Sequence, residues 1–260
     1  MINPAKIIRG FPESREKELR TIKRFSMFEV FFYRSSLWHH ELRVFFITQE
    51  LSKLMKDVPE YDSQKASILA LVHDDAEIVT GDIQLGHKQL MNPAQLQKID
   101  ENEANAIETL SQRFPKTIGG YIYKKLLYHA LRKDCVEAHL VSYADKLDAY
   151  GESLHEVFGG NISALRAVIN YTKILSGFEK KYHSLKPLFA HKESPFINLD
   201  MHTDSQKIHW GNYQYLNKPH KPENIGIKTE LVFYNMWKNL ILNRLGKEGI
   251  EILTTQTKAI

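Results

Sequence analysis

One cysteine, Cys135, stands in 260 residues. It excludes an internal disulfide and any metal site built from several thiolates. No apolar run approaches the ~18–20 residues needed to cross a bilayer, and the N-terminal MINPAKIIRGFPESREKELR carries charges where a secretory leader has its apolar core. There is no internal repeat, no low-complexity tract and, before residue 190, no clear hairpin signal. Net charge is small, at +4, and unevenly placed: residues 1–175 hold 23 Lys+Arg against 23 Asp+Glu, residues 176–260 hold 12 against 8. That mild basic bias is no polybasic arm, so nucleic acid is not a favoured partner. A soluble, cytoplasmic protein with no membrane partner is expected.

What is present is helical periodicity and enough apolar residues, 43%, for a sizeable core. Amphipathic helices are expected over residues 13–33, and over 36–56, where His40, Val44, Ile47, Leu51 and Leu54 share a stripe. A further helix is expected over 63–80, stopped by Gly81 in the position that favours glycine. Asn92-Pro93 reads as an N-cap followed by proline at the first helical position; its helix runs to about Arg113. Residues 117–131 form the next helix. Asp134, with Glu137 three later, resembles a capping box that opens a long helix to about Phe158, and another covers 162–182. Pro187 and Pro195 mark a change of style. Residues 186–226 are rich in His, Asn, Pro and aromatics, 228–246 regain helical character, and the final GIEILTTQTKAI reads as short and β-like or as a disordered end. The expectation is an all-α domain over residues 1–185, then an extension over 186–260 of mixed or irregular structure, serving as lid, dimer contact or plain packing.

The densest chemistry lies in SILALVHDDAEIVTGD, Ser67–Asp82. An apolar run leads straight into His73, Asp74, Asp75 and Glu77. Burying such groups costs several kcal/mol unless they are paired or bind a metal. His40 sits on the apolar stripe of its own helix, while His39 points about 100° away. Asp145 interrupts another apolar helix between Ala144 and Leu147. Two imidazoles and two carboxylates suit one divalent cation. On helical spacing Glu77 falls on the side of His73 and Asp74, whereas Asp75 falls off it and reads as a surface or supporting acid. His129 and His139 are spare histidines whose spacing is not diagnostic of a second metal.

This His…His-Asp…Asp pattern resembles the HD-domain phosphohydrolase superfamily, an α-helical bundle. HDDAEIVTGDI (His73–Ile83) and YADKLDAYGESLHEVFGGN (Tyr143–Asn161) are most similar to the bacterial 5′-deoxynucleotidase-like members. The resemblance covers roughly residues 20–190. It implies His40, His73, Asp74 and Asp145 as ligands of one divalent metal ion, with Mn, Co, Mg, Zn, Fe and Ni not distinguished, and Glu77 and Asp82 as active-site carboxylates. Arg24-Phe25 stands about where the family has Arg followed by tryptophan; Arg34 is a competitor. Lys88 matches a family lysine.

The function implied is removal of the 5′-phosphate from (deoxy)nucleoside monophosphates by metal-activated water. Glu77 would move the proton and Asp82 orient the sugar. Arg24 or Arg34, with Lys88 or Lys146, would grip phosphate, and Phe25 or Trp38 would stack on a base. A second reading keeps the metal and takes nucleoside triphosphates or cyclic and oligonucleotide phosphodiesters. A third, a non-enzymatic nucleotide sensor, has no use for Glu77 and Asp82. A homodimer is compatible with all three.

Overall fold

The fold is described from a computed structural model. It describes residues 2–25, 30, 32, 35–83, 88–159, 161–198 and 229–255. The aromatic- and His-rich stretch around Trp210 and Tyr213 lies outside them, as does Arg34. The all-α expectation holds: among the described residues the only sheet is one two-stranded hairpin. None of the described helices is long and apolar enough to cross a membrane. The chain divides into two compact units, residues 1–27 with 35–142, and residues 28–34 with 143–260.

The first unit begins with α1 (Pro4–Ile8) and α2 (Glu13–Thr21). It is built on α3 (Leu37–Ser52), which is buried on nearly every side. A helix buried all round belongs in a core rather than on a surface, and α3 carries His39, His40, Glu41 and Arg43 into it beside its apolar residues. Phe45, Ile47 and Leu51 are fully buried there, each worth about 1.5–3 kcal/mol of apolar burial. The next helix, α4 (Ser63–Ala70), is capped by Asp62, whose side chain accepts from the N–H groups of Gln64 and Lys65. A turn segment separates it from α5 (Glu77–Thr80). Then α6 (Pro93–Arg113) opens on the expected Asn92-Pro93 cap, completed as a capping box with Gln95, and packs against α7 (Tyr123–Arg132).

Two expectations fail in this stretch. Residues 117–122 are a hairpin, β1 (Thr117–Ile118) with β2 (Tyr121–Ile122), in place of a first helical turn. Its loop is Gly119-Gly120, with φ of +55° and +92°, the left-handed pair that tight hairpins require. A Cβ on Gly119 would also lie 2.2 Å from Ile68 Cδ1. The second failure is the Asp134 capping box. The helix α8 (Val136–Phe158) starts one residue later than an Asp134 N-cap would place it; Asp134 is engaged by His129, and Glu137 accepts from Asp62 N–H and Lys65.

The unit boundary falls within α8, after Ser142. The second unit contains the rest of that helix, then α9 (Leu165–Lys181), α10 (Lys186–Phe189), α11 (Thr229–Leu245) and α12 (Lys247–Thr254). Tyr143 sits edge-on to Phe178 and Phe189, and its hydroxyl donates to the Phe196 carbonyl at 2.8 Å. The buried face of α11 is Phe233, Tyr234, Trp237 and Ile241. Trp237 donates its indole N–H to the buried Asp148 at 2.9 Å. The β-like reading of the chain end is corrected: GIEILT lies in α12, where Gly249, Ile252 and Leu253 form a buried helical face.

Candidate metal centre

The first unit gathers its chemistry where α3 faces the segment joining α4 to α5. That segment is not the continuous helix expected over 63–80. The α-helix stops at Ala70, turns occupy 71–76, and a single helical turn resumes at Glu77. Its bonds are of the tighter i→i+3 kind: Asp75 N–H donates to Val72 O, and Glu77 N–H to Asp74 O. Two carbonyls that an α-helix would use have other partners. In an α-helix Leu71 O would take the Asp75 N–H and Ala70 O the Asp74 N–H. Here Arg15 Nη2 lies 2.5 Å from Leu71 O, and His73 Nδ1 lies 2.9 Å from Ala70 O.

His73, Asp74 and His40 converge. Each imidazole Nε2 lies 3.4 Å from Asp74 Oδ2, and the ring centroids are 5.3 Å apart. The His40 side chain is fully buried and that of His73 is 7% exposed. A backbone carbonyl only accepts, so His73 Nδ1 carries a proton and Nε2 is the ring nitrogen turned toward the carboxylate. A carbonyl holding the far nitrogen is the usual support of a ligating histidine. Ligand atoms about 2.1 Å from one ion stand roughly 3.0–3.4 Å apart, which matches the spacing here. His40, His73 and Asp74 therefore fit a divalent metal as a three-donor set.

Glu77 borders this set. Its Oε2 is buried with no hydrogen-bond donor. Burial first, then the charges of Asp74 and Asp82, push its carboxyl well above the usual range, against the opposing pull of Arg24 and His40. Arg24 Nη1 stands 3.9 Å from Asp74 Oδ2, and the Arg24 N–H donates to Ser35 O. Phe25 follows with φ of +53°, a left-handed conformation uncommon for an aromatic residue. Asp82 is half-buried just past Gly81, whose φ of +76° ends α5.

Other expected residues are placed less tellingly. Lys88 is paired with Glu103 at 2.9 Å. Trp38 is buried, with the Arg20 guanidinium over its ring. Asp145 belongs to the second unit, half-buried on α8 and paired there with Lys146. His129 forms a separate, part-exposed group with Asp134 and Cys135, and His139 Nε2 contacts Lys133 O.

For Asp75 the structure decides between the two expectations: it is 0% exposed, a supporting acid and not a surface one. Arg15 Nε lies 3.0 Å from both its oxygens, Arg15 Nη2 2.6 Å from Oδ1, and the Tyr123 hydroxyl donates to Oδ2 at 2.7 Å. Arg15 Nη2 also reaches Glu41 Oε2 at 2.8 Å. Burial opposes the Arg15 charge, but Asp75 and Glu41 outweigh it and raise its pKa; burial pushes the Glu41 carboxyl up against Arg15. Sequence reasoning missed this network. Its signal was two extra acids, Glu41 and Asp75, each directly after a ligand candidate.

Comparison with known proteins gives three findings. A family model described as 5′-deoxynucleotidase YfbR-like matches residues 16–183. A 5′-deoxynucleotidase of Yersinia pestis (strain Pestoides F) and one of Yersinia pseudotuberculosis serotype O:3 (strain YPIII) are each 29% identical over 139 residues, 53% of this chain and 69% of the relative. A solved conserved hypothetical protein from Pyrococcus furiosus is similar over 65% of this chain and 97% of its own, at 22% identity and a TM-score of 0.47. The PH0347 protein from Pyrococcus horikoshii OT3 is similar over 65% and 92%, at 23% identity and a TM-score of 0.48.

Proposed function

The chain belongs to the YfbR-like 5′-deoxynucleotidase family, a family of phosphomonoester hydrolases, and from that premise we propose that it removes the 5′-phosphate from nucleoside monophosphates with a divalent cation held by His40, His73 and Asp74. The observation that carries the reading is the convergence of two imidazole nitrogens on one carboxylate oxygen, each at 3.4 Å. The fourth ligand proposed, Asp145, rests on the family pattern. The cation, when bound, supplies Lewis acidity toward phosphate oxygen and lowers the pKa of water.

The chain's own residues do the rest. Arg24 offers its guanidinium beside Asp74 and offsets the phosphate charge, which arginine can hold through two parallel bonds. Glu77, its carboxyl pushed above the usual range by burial and by the charges of Asp74 and Asp82, moves the proton between water and the departing 5′ oxygen. Asp82, where the chain turns past Gly81, accepts from a sugar hydroxyl. Lys88 is tied to Glu103, so a phosphate role would require breaking that pair. Lys146 is paired with Asp145, so a phosphate role would likewise require breaking that pair.

The test is phosphate release from a panel of 2′-deoxy- and ribonucleoside 5′-monophosphates, triphosphates and cyclic nucleotides, each with Mn²⁺, Co²⁺ or Mg²⁺ and again after chelation. The reading requires metal-dependent turnover of monophosphates. Turnover confined to triphosphates or phosphodiesters would replace it with the second reading, and tight nucleotide binding without any turnover would replace it with a sensor. Asp145→Ala should weaken metal binding; unchanged affinity would remove Asp145 from the ligand set.

A further inference from the structure

We propose that Arg15 is a positioning residue that sets the backbone register on which His73, Asp74 and Glu77 depend; this rests on the metal-site reading above. Arg15 lies on α2, 56 residues before Leu71 in the chain, and is 1% exposed. A guanidinium so buried needs partners, and its partners are unusual in their placement. One is Glu41, the residue after His40. Another is Asp75, the residue after Asp74. The third is the Leu71 carbonyl, which an α-helix would have used itself. A single side chain therefore ties together the two segments that carry His40, His73 and Asp74.

The register it imposes has a geometric consequence. In an α-helix, at about 100° per residue, positions three apart are offset by about 60°. With i→i+3 bonds there are about three residues per turn, so positions three apart lie in line. Asp74 and Glu77 are three apart and are joined by the Glu77 N–H to Asp74 O bond at 2.9 Å. The tightened turn thus brings the carboxylate that faces the histidines and the buried carboxyl proposed for proton transfer onto one line. Without Arg15 at Leu71 O, the Asp75 N–H can return to that carbonyl. The segment then relaxes toward α-helix, and Asp74 swings away from His40. Asp75 and Tyr123 hold the arginine in place: the Asp75 carboxylate takes both Nε and Nη2, and the Tyr123 hydroxyl fixes its other oxygen. Phe11 closes the cluster, its ring centroid 4.4 Å from the Arg15 guanidinium carbon.

The experiment uses the full chain and Co²⁺ alone as probe. Arg15→Met removes the fork, Arg15→Lys keeps the charge without it, and Leu110→Ala, a fully buried site on α6 outside residues 71–77, lowers stability. Co²⁺ affinity is measured by titration, ligand geometry by the visible Co²⁺ spectrum, and stability by thermal unfolding. Loss of a partner that orients ligands typically costs 10–100-fold in metal affinity. Arg15→Met and Arg15→Lys are each expected to lose at least tenfold and to change the Co²⁺ spectrum. Leu110→Ala should hold the wild-type affinity within twofold at a matched loss of melting temperature. Wild-type affinity and spectrum in a folded Arg15→Lys protein would overturn the proposal. So would an equal affinity loss in Leu110→Ala, because that would make the effect one of general stability. Should Arg15→Met not fold, Tyr123→Phe, which frees one oxygen of Asp75, replaces it with the same expected direction. Amide exchange and backbone carbon shifts over residues 71–77 in the metal-free proteins separate this proposal from the metal reading. Wild-type protein that binds no Co²⁺ sinks the metal reading, whereas residues 71–77 unchanged in Arg15→Lys sink the register role whatever the metal does.

Discussion

Glu77→Gln should cost turnover and, in the metal-free protein, gain stability. The side chain keeps its shape, so packing is unchanged. What changes is charge in a confined place. Glu77 Oε2 is buried without a donor, and Asp74 and Asp82 stand close enough to raise its pKa well above the ordinary carboxylate range. Leaving a buried polar group unsatisfied costs about 1–3 kcal/mol, more when it is charged. The attraction of Arg24 and His40 offsets part of that, so we expect a net relief of about 1–3 kcal/mol. For 150–250 residues, 1 kcal/mol moves Tm by roughly 2–4 °C, giving a gain of about 2–12 °C. The sign with pH follows from linkage. The folded state holds the Glu77 proton to higher pH than the unfolded state does, so wild-type stability falls as pH rises above the ordinary glutamate value of 4.5. The advantage of glutamine should accordingly be absent below about pH 4 and grow above about pH 5. Scanning calorimetry of chelator-treated wild-type and variant proteins from about pH 4 to 8 measures it. The same variant should lose about 10²–10⁴-fold in kcat, the usual scale for a removed proton-transfer group, while metal affinity stays near wild type. A Glu77→Gln protein less stable than wild type at high pH without metal would refute the reasoning about a strained carboxyl, and one with full kcat would remove the catalytic role.

His73→Ala and Asp74→Ala should each abolish measurable metal binding by titration while circular dichroism keeps the helical signal; retained affinity in either would take that residue out of the ligand set. In the second unit, a Cβ on Gly151 would lie 2.5 Å from three atoms of the Trp237 ring. Gly151→Ala should therefore destabilise by about 1–3 kcal/mol through overpacking, and more if the indole loses Asp148; an unchanged Tm would show that α11 is not seated there. The Glu137 carboxyl is pushed up by burial but pulled lower overall by the Asp62 N–H and Lys65. It thus contributes stability above its unfolded pKa that is lost as pH falls through its lower folded value. Glu137→Gln should lose stability less steeply than wild type between about pH 5 and 3, and identical acid profiles would contradict this.

Most of the helices were legible because their faces are simple. The stripe through His40, Val44, Ile47 and Leu51 and the Asn92-Pro93 cap are local signals, and local chemistry decides them. The hairpin at Gly119-Gly120 was also local, but a helical-looking continuation, YKKLLYHALR, drew the boundary too early. The end of the chain misled through composition: Ile and Thr favour strands only where there is a sheet to join, and α12 instead buries Ile252 and Leu253 on a helical face.

The site residues were legible by type but not by backbone. Periodicity over 63–80 describes an α-helix because every side chain in that window agrees with one. The agent that breaks it, Arg15, is far away in sequence, and nothing in a window of any ordinary width contains it. The extra acids beside His40 and Asp74 were readable, yet an acid next to a metal ligand looks like solvent-facing charge until its counter-ion is located. Burial decides between these readings. At 0% exposure Asp75 cannot be a surface acid, and a buried carboxylate that takes two guanidinium nitrogens and a tyrosine hydroxyl has all its acceptor capacity turned inward. Its cost is offset by Arg15, and Arg15 then turns its remaining donor capacity to Glu41 and the Leu71 carbonyl. The charges that looked like an energetic oddity at the end of an apolar run thus separate into two groups. His73, Asp74 and Glu77 face the candidate metal centre, and Asp75 faces the network that shapes the turn carrying them.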